Sequence, residues 1–218
     1  MNFLRKNWDL IAFPGIILLL AVLLHNFNIG HVSYLELSAV FGAVLARALL
    51  KREKVSGMLF GVVANVLFIF YFLQIHLMGQ LILSAFYLIL NATGIYSWLR
   101  PNKKTHKLLR PTFLHPIWQA GIVLAVAAAA VFGMTARGTI GALDYFVMAT
   151  GIIGMILMVR KKTDSWVSFI ASDTAGIALF WMSGSYLMFV AVFEYLYSDF
   201  TAFFRWRKIF RRIKKRKI

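Results

Sequence analysis

The chain has 218 residues, of which 61% are hydrophobic and only 15% are charged, and its mean hydropathy is +0.75. A soluble domain is closer to half apolar and a quarter charged, so this composition indicates a membrane protein with no room for a separate soluble catalytic domain. The absence of Cys excludes disulfides, thiolate metal sites and cysteine nucleophiles.

Apolar runs between charges and turn residues predict eight membrane spans and an all-α fold. In chain order they cover residues 10–27, 34–50, 55–75, 77–99, 117–134, 140–160, 164–184 and 185–206. The first run follows Arg5 and Lys6, but it lacks the small-x-small cleavage site of a signal peptide. We therefore expect it to be a genuine helix.

The basic residues, which give a net charge of +16, fall almost entirely on one side of these spans. Of the 24 Lys and Arg residues, only Arg137 lies in a connection on the other side. Because Lys and Arg concentrate in cytoplasmic loops, both termini are expected to be cytoplasmic. Arg47 is counted here with the cytoplasmic connection after the second span. The basic tail after Trp206 is expected to touch anionic lipid head groups, and nucleic acid is not expected as a partner.

The chain repeats itself at an offset of 108 residues without a gap. At this offset Glu36 matches Asp144, Asn65 matches Asp173, Phe72 matches Phe180, Tyr87 matches Tyr195, Asn91 matches Asp199 and Trp98 matches Trp206. The offset carries spans two to four onto spans six to eight in the same orientation, so the repeat is parallel. In transporters with parallel repeats the substrate site lies near mid-membrane between the two copies.

The repeat predicts one N-terminal helix followed by a 3+1+3 bundle. The segments are an additional transmembrane helix in 1–30, a first three-helix repeat in 34–99, a basic loop and linker helix in 100–139, a second three-helix repeat in 140–206 and a basic cytoplasmic tail in 207–218. The linker helix returns the chain to the side on which the second repeat begins.

Acidic residues inside the spans are candidates for a site. An ionised carboxylate at the centre of a membrane helix costs about 2.5–3.5 kcal/mol and usually faces a cavity or a partner. Asp173 lies near the middle of its span, and its repeat partner Asn65 is equally central. Trp166 and Phe169 precede Asp173 at spacings that place all three on one helix face. We therefore expect a polar pocket with aromatic walls at this face.

Matching polar stripes occur on the fourth and eighth spans. Their members are Tyr87, Asn91 and Trp98 on the one and Tyr195, Asp199 and Trp206 on the other. The tyrosines, the amide and the acid are candidate substrate contacts, whereas the two Trp are expected in the interfacial belt. Glu36 and Asp144, at the outer starts of their helices, are also expected to be interfacial. Glu194 lies off the stripe, and no role is assigned to it.

Carboxylates, carboxamides and aromatic rings together suit a flat, hydrogen-bonding and cationic solute, and a nucleoside-like molecule fits this description. No basic residue is predicted in mid-span to hold a phosphate, so a phosphorylated substrate is disfavoured. The five His residues lack metal-ligand spacing. No catalytic residue, metal or cofactor is predicted.

The stretch from Asn91 through Gly94 to Trp98, before a basic connection, resembles the N-x-x-G-x-x-x-W signature of the PnuC family of bacterial nicotinamide riboside transporters. The order of elements from about Tyr34 to Trp206 is similar too. The resemblance implies a SWEET-like fold of two three-helix bundles joined by a linker helix, in a homo-oligomer in the bacterial inner membrane. It also implies facilitated diffusion of a vitamin precursor for NAD biosynthesis, followed by trapping through phosphorylation in the cytoplasm.

The family's W-x-x-W-x-x-x-N/D motif appears here as Trp166, Phe169 and Asp173, with Phe in place of the second Trp, and Ala202 stands where Gly94 stands in the first half. By resemblance, the two rings would stack on the nicotinamide, and Asp173 would contact the ribose or offset the pyridinium charge. The Phe leaves the substrate open, so the alternative is a transporter of the same fold for thiamine or another nucleoside-like vitamin. A membrane enzyme acting on lipid and a non-transporting scaffold are less favoured.

Overall fold

The structure is a computed structural model that describes residues 9–26, 33–100, 112–113 and 116–215. Within these ranges the chain forms seven α-helices. They are α1 (Asp9–Asn26), α2 (Tyr34–Leu50), α3 (Ser56–Gln74), α4 (Met78–Leu99), α5 (Pro116–Val159), α6 (Ser165–Met182) and α7 (Tyr186–Lys215). The basic N-terminus, the predicted basic loop over 101–111 and the last three residues, 216–218, lie outside the described ranges.

The chain is an all-α membrane protein. Four helical segments are long and apolar enough to cross a bilayer by length and composition, namely Ser56–Gln74, Met78–Leu99, Gly121–Val159 and Tyr186–Arg212. A shorter apolar stretch, Pro14–Leu23, lies in α1. The bounds of α2, α3 and α4 fall within one residue of the predicted second, third and fourth spans, since the length of an apolar run between polar ends is a local property of the sequence.

The long helix α5 turns back on itself at Arg137 and Gly138, whose backbone angles are not helical. Gly138 has φ +63° and ψ −145°, a conformation that only glycine adopts without steric cost. The ring centroids of Phe132 and Tyr145 are 5.3 Å apart, whereas a straight helix would separate these positions by about 20 Å. The predicted fifth and sixth spans lie on the two arms of α5.

We describe the helices α2 to α7 as two groups of three consecutive helices, counting only the later arm of α5. In the first group α2 packs on α3 and α3 packs on α4, and in the second group the later arm of α5 packs on α6 and α6 packs on α7. The groups meet where α2 contacts α7 and where α4 contacts α5. The helix α1 lies outside, against α2 and α7.

The turns in the two groups use left-handed residues at matching positions. Glu53 (φ +59°) follows α2, and Lys161 (φ +51°) follows α5. His76 (φ +56°) follows α3, and Gly184 (φ +74°) follows α6. The members of each pair are 108 residues apart, which is the offset of the sequence repeat. Glu53 and Lys161 also form an ion pair, with 3.1 Å between Oε2 and Nζ.

The prediction that Trp98 and Trp206 belong to an interfacial belt is wrong. Both side chains are buried inside the protein, and their ring centroids are 6.2 Å apart. The Trp98 indole donates a hydrogen bond to the Val159 carbonyl, while Trp206 packs edge-on against Trp166 at 5.3 Å. These large rings gain more from packing on one another than from the membrane surface, and they close one end of the bundle.

The prediction that Glu36 and Asp144 are interfacial is also wrong, because both are buried. Asp144 accepts hydrogen bonds from the backbone N–H groups of Gly79 at 2.8 Å and Gln80 at 3.0 Å. These are orphan donors of the first turn of α4, where a carboxylate also interacts well with the helix dipole. Glu36 faces the backbone of Met188 at the start of α7. Each acid therefore reaches from one three-helix group to the start of a helix in the other.

The helix α7 continues without interruption to Lys215, so most of the predicted basic tail is a helical extension of the last span. The ring of Phe210 packs edge-on against Phe113 at 5.1 Å. Next to Phe113, Thr112 forms backbone hydrogen bonds with Lys161 and Thr163. The segment before α5 is thereby attached to the turn between α5 and α6.

Candidate functional site

A cavity of about 120 Å³ lies between the two groups of helices. One water molecule needs at least about 10–15 Å³ of such space, so the cavity has room for several waters and is too large to be a packing defect. Each of the helices α2 to α7 contributes side chains to its wall.

Seven of the eight residues predicted for the site line this cavity. They are Asn65, Tyr87, Asn91, Trp166, Phe169, Asp173 and Tyr195. The eighth, Asp199, is fully buried and is joined to the cavity wall by Arg47. The fold thus brings residues of both halves of the chain to one place between the two groups.

Arg47 is the residue that the sequence interpretation misplaced. It lies in the last turn of α2, and its side chain lines the cavity rather than a cytoplasmic connection. Its Nη1 donates to Oδ2 of Asp173 at 2.7 Å and to Oδ2 of Asp199 at 2.5 Å. Its Nη2 donates to Oδ1 of Asp173 at 3.3 Å. The expectation of no basic residue in mid-span holds by position, since Arg47 lies in the last turn of α2, but it did not anticipate a guanidinium in the cavity wall.

The ion cluster contains two acidic groups and one basic group. Arg47 and Asp173 belong to the cavity wall, and Asp199 lies behind them. One guanidinium thus pairs with two carboxyl groups. The planar guanidinium suits this arrangement, because its fixed fork of N–H donors can serve two carboxylates at once.

Aromatic rings surround the guanidinium. The Cζ atom of Arg47 lies 4.6 Å from the ring centroid of Tyr195 and 5.1 Å from that of Phe169, both within the range of cation–π attraction. The ring of Phe169 meets Trp166 at 5.9 Å and Tyr87 at 6.5 Å. The predicted pocket with aromatic walls therefore exists at this face of α6.

Two amides, Asn65 on α3 and Asn91 on α4, complete the polar wall. Each donates from Nδ2 to a carbonyl one turn earlier in its own helix, Asn65 to Gly61 at 2.6 Å and Asn91 to Tyr87 at 2.8 Å. These bonds fix the amides and leave the Oδ1 atoms and the second N–H groups for a ligand. A Cβ at Gly61 would lie 2.9 Å from the Asn91 amide, so this glycine gives the amide its space.

Two further polar residues of the wall, Gln80 and Ser84, were not predicted. With Tyr87 and Asn91 they recur at intervals of four, three and four residues, which is the spacing of one helix face. This polar stripe in an otherwise apolar helix is the signal that identifies them. Ser84 Oγ donates to the Gln80 carbonyl at 2.9 Å, and Gln80 Nε2 donates to Asp144 at 3.2 Å.

Aromatic contacts join the two groups at two places near the cavity. Phe72 and Phe180 are repeat-equivalent residues that line the cavity and stack with centroids 6.5 Å apart. At the second place Trp206 contacts Trp98 and Trp166. The contacts of Phe72 with Phe180 and of Trp98 with Trp206 join one group to the other, so a relative movement of the groups would separate these rings.

The site therefore offers rings for stacking, amides for hydroxyl groups and a carboxylate for a cation. Among the residues that the structure describes, no group of three or more His, Cys, Asp or Glu side chains is placed to hold a metal ion. These features suit binding of a small cationic ring compound.

Comparison with known proteins identifies similar transporters. A family model described as nicotinamide mononucleotide transporter matches residues 33–208. The nicotinamide riboside transporter PnuC of Escherichia coli (strain K12) is 26% identical over 200 residues, covering 78% of this chain and 82% of that protein, and the protein of the same name from Shigella flexneri gives the same values. The crystal structure of the vitamin B3 transporter PnuC has the same fold, with a TM-score of 0.73 and 18% identity over 93% of this chain and 90% of that one.

Proposed function

The chain belongs to the nicotinamide mononucleotide transporter family, and on this premise we propose that it carries nicotinamide riboside into the cell. It is a membrane transporter and not an enzyme. Two of its relatives are named nicotinamide riboside transporters, and the chemistry of the cavity supports the same substrate.

The observation that carries the proposal is the ion cluster of Arg47, Asp173 and Asp199 against aromatic walls. Its carboxyl groups provide a counter-charge for the single positive charge of the pyridinium ring of nicotinamide riboside. Pairing the ligand's charge with a carboxylate lowers the cost of enclosing that charge in the membrane.

The rest of the ligand also has partners in the wall. Trp166 and Phe169 present rings on which a flat nicotinamide can stack, at about 0.5–2 kcal/mol for each cation–π contact. Asn65 and Asn91 present amide groups suited to the ribose hydroxyls. These assignments follow the roles that the sequence resemblance implies for Trp166 and Phe169.

The same cluster disfavours the phosphorylated mononucleotide. A phosphate would bring one or two negative charges into a wall whose one guanidinium, on Arg47, already pairs with Asp173 and Asp199. The sequence disfavours a phosphate because no basic residue lies in mid-span, and the pairing of Arg47 with two acids disfavours it further.

For the transport route we propose eight spans, arranged as one N-terminal helix and a 3+1+3 parallel repeat. The chain reversal at Gly138 supports eight spans, and the matching left-handed turn residues support the repeat. Three contacts join repeat-equivalent residues, namely Phe72 with Phe180, Trp98 with Trp206 and Glu53 with Lys161. Residues related by a two-fold axis can touch only near that axis, so these contacts support a central passage gated at both ends.

Transport is proposed to proceed by facilitated diffusion, with trapping of the product in the cytoplasm. We place the protein in the bacterial inner membrane with both termini cytoplasmic, which the charge distribution favours. Arg137, the one basic residue predicted on the outer side, donates to the His76 carbonyl in the α3–α4 turn. In the proposed orientation this turn also lies on the outer side, so the contact agrees with it. We also propose that the protein forms a homo-oligomer.

A second candidate substrate is thiamine or another nucleoside-like vitamin. Phe169, in place of the second Trp of the family motif, favours this alternative because a smaller ring leaves more space at the wall. Thiamine also carries one positive charge, so the ion cluster does not separate the two ligands, and only the dimensions of the site can do so.

Calorimetry on the purified protein tests the function. Nicotinamide riboside, its mononucleotide, thiamine, riboflavin and uridine are compared, with Asp173→Ala as the control variant. We expect tight binding of nicotinamide riboside alone, lost in the variant. Binding of thiamine through Asp173 would keep the site but change the substrate, and binding of the mononucleotide at equal strength would contradict the charge argument.

A further inference from the structure

We propose that Arg47 is an internal counter-ion that neutralises the empty carrier and moves to Glu194 when a cationic ligand enters. The inference rests on the proposed function, because it requires a ligand with a positive charge. It assigns a role to the partly buried Arg47 and the buried Glu194, neither of which was predicted for the site.

The guanidinium of Arg47 occupies the contacts that a flat cationic ligand needs. It is planar and positive, it lies over the rings of Tyr195 and Phe169, and it pairs with Asp173 and Asp199. A pyridinium ring that stacks on Phe169 and approaches Asp173 would meet the guanidinium there. Since the two cations repel each other and compete for the same rings, one must leave when the other arrives.

A carrier without bound ligand needs an internal counter-ion for its buried acids. In facilitated diffusion the site must return across the membrane without its ligand, and an ionised carboxylate in a membrane helix costs about 2.5–3.5 kcal/mol. Without Arg47, the empty carrier would expose the charges of both Asp173 and Asp199 to a low-dielectric surrounding. With Arg47 in place, most of that charge is compensated.

Glu194 has the properties of a second acceptor for the guanidinium. It is buried in α7, and its Oε1 accepts a hydrogen bond from Ser198 at 2.6 Å. Its Oε2 is buried without a hydrogen-bond partner among the residues that the structure describes. The charges of Arg47 and Lys51, one helical turn apart on α2, both act on this carboxylate.

The exchange between the two acceptors requires only a side-chain movement. Asp199 and Glu194 lie five residues apart on α7, which corresponds to about 7.5 Å along the helix axis. The two acids point about 140° apart around α7, but α2 packs directly on α7 and the charge of Arg47 already acts on Glu194. A change of rotamer can carry a side chain as long as that of Arg over such a distance.

The first test separates net uptake from exchange in proteoliposomes with labelled nicotinamide riboside. Net uptake requires the empty carrier to return, whereas exchange of internal for external ligand does not. We expect Arg47→Gln to lower the ratio of net uptake to exchange by at least about tenfold relative to the unchanged protein. Arg47→Lys, which keeps the charge, is the matched control and should hold the ratio within about threefold.

The second test is a double-mutant cycle on ligand affinity, measured by calorimetry. Glu194→Gln removes the second acceptor, so it should lower the affinity for nicotinamide riboside about fivefold when Arg47 is present and have no effect in Arg47→Gln. If Arg47→Gln does not fold, the cycle is completed with Arg47→Lys, in which the Glu194→Gln effect should persist.

Equal losses of net uptake and exchange in Arg47→Gln would overturn the proposal, because Arg47 would then be a structural group or a simple ligand contact. Additive effects of the Arg47 and Glu194 substitutions would overturn the movement to Glu194. Failure of the proposed function is distinguishable from both, since the unchanged protein itself would then neither bind nor transport nicotinamide riboside.

Discussion

The two three-helix groups differ most where they meet the cavity. The first group contributes amides at Asn65 and Asn91, whereas the second contributes acids at the equivalent Asp173 and Asp199. The first group contributes the guanidinium of Arg47, to which Met155 corresponds in the second group. The turns and the end contacts repeat, but the charges do not.

Under the proposed function, this difference would let two similar halves hold an asymmetric ligand. A site with identical halves would accept a ligand equally well in two orientations, and it would place like charges opposite each other. Here the acids of one group pair with the cation of the other, so the ion cluster also joins the two groups. A buried pair of this kind contributes little net stability but fixes which groups lie together.

The largest effect is expected from making the second half resemble the first at its central acid. Asp173→Asn keeps the shape of the side chain and removes a charge that pairs with Arg47. Charged hydrogen bonds contribute about 1.5–3 kcal/mol, so we expect the affinity for nicotinamide riboside to fall about 10–100-fold. Calorimetry on purified protein measures the change.

The converse substitution sharpens this comparison. Adding Asn65→Asp to Asp173→Asn moves the carboxylate to the equivalent position in the first group. We expect no recovery of affinity, because Asn65 donates to the Gly61 carbonyl, which a carboxylate would repel, while Arg47 is directed towards the second group. Recovery in the double variant would mean that the two halves are interchangeable in charge.

The acids that reach between the groups should differ in their contribution to stability. Asp144 accepts from two backbone N–H groups and from the Gln80 side chain, whereas Oε1 of Glu36 has no hydrogen-bond partner in the described part of the chain. Removing Asp144 leaves buried donors unpaired, so Asp144→Ala should cost about 1–2 kcal/mol of unfolding free energy. Glu36→Ala should cost less.

Thermal unfolding in detergent measures both variants against the unchanged protein. Asp144→Asn is the matched control, since it keeps an oxygen for the start of α4 and should recover part of the loss. A larger loss for Glu36→Ala than for Asp144→Ala would contradict this account of the two acids.

A smaller effect is expected at the turn ion pair, where the two halves are most alike. Glu53 and Lys161 are equivalent residues that pair across the groups, and a partly exposed pair contributes only about 0.2–1 kcal/mol. Breaking it with Glu53→Lys should change the initial uptake rate by a few-fold, since the turns must separate when that end opens. Exchanging the charges, with Glu53→Lys and Lys161→Glu together, should restore the rate. A double variant with the same rate as the single variant would contradict a role of this ion pair in holding the two turns together.

Much of the fold was predictable because it depends on local properties. The lengths of apolar runs gave the bounds of α2, α3 and α4, and helical spacing placed Trp166, Phe169 and Asp173 on one face. The offset of 108 residues anticipated which residues would have equivalent neighbours. Burial at the helix ends was not predictable. The position of Trp98 along its helix is the same whether its ring faces lipid or packs on Trp206.

Arg47 shows most clearly what the sequence leaves open. Three residues from the end of α2 and four before Lys51, it has the sequence context of an interfacial charge. Only the packing of α2 on α7 directs its long side chain inwards to Asp199. The repeat did contain a signal, since Arg47 aligns with Met155, which lines the cavity from within α5.

The smallest effect is expected at Phe169, where this chain departs from the family motif. A Cβ at Gly154 would lie 2.7 Å from the Phe169 ring, so the ring already packs closely on α5, and the extra atoms of Phe169→Trp must extend into the cavity. Ligands with larger ring systems should then compete still more weakly, with inhibition by riboflavin and thiamine reduced about two- to fivefold relative to that by unlabelled nicotinamide riboside. Competition between these ligands in an uptake assay measures the preference. An equal loss for all of them would mean that the substitution disturbs the packing on α5 rather than the dimensions of the site.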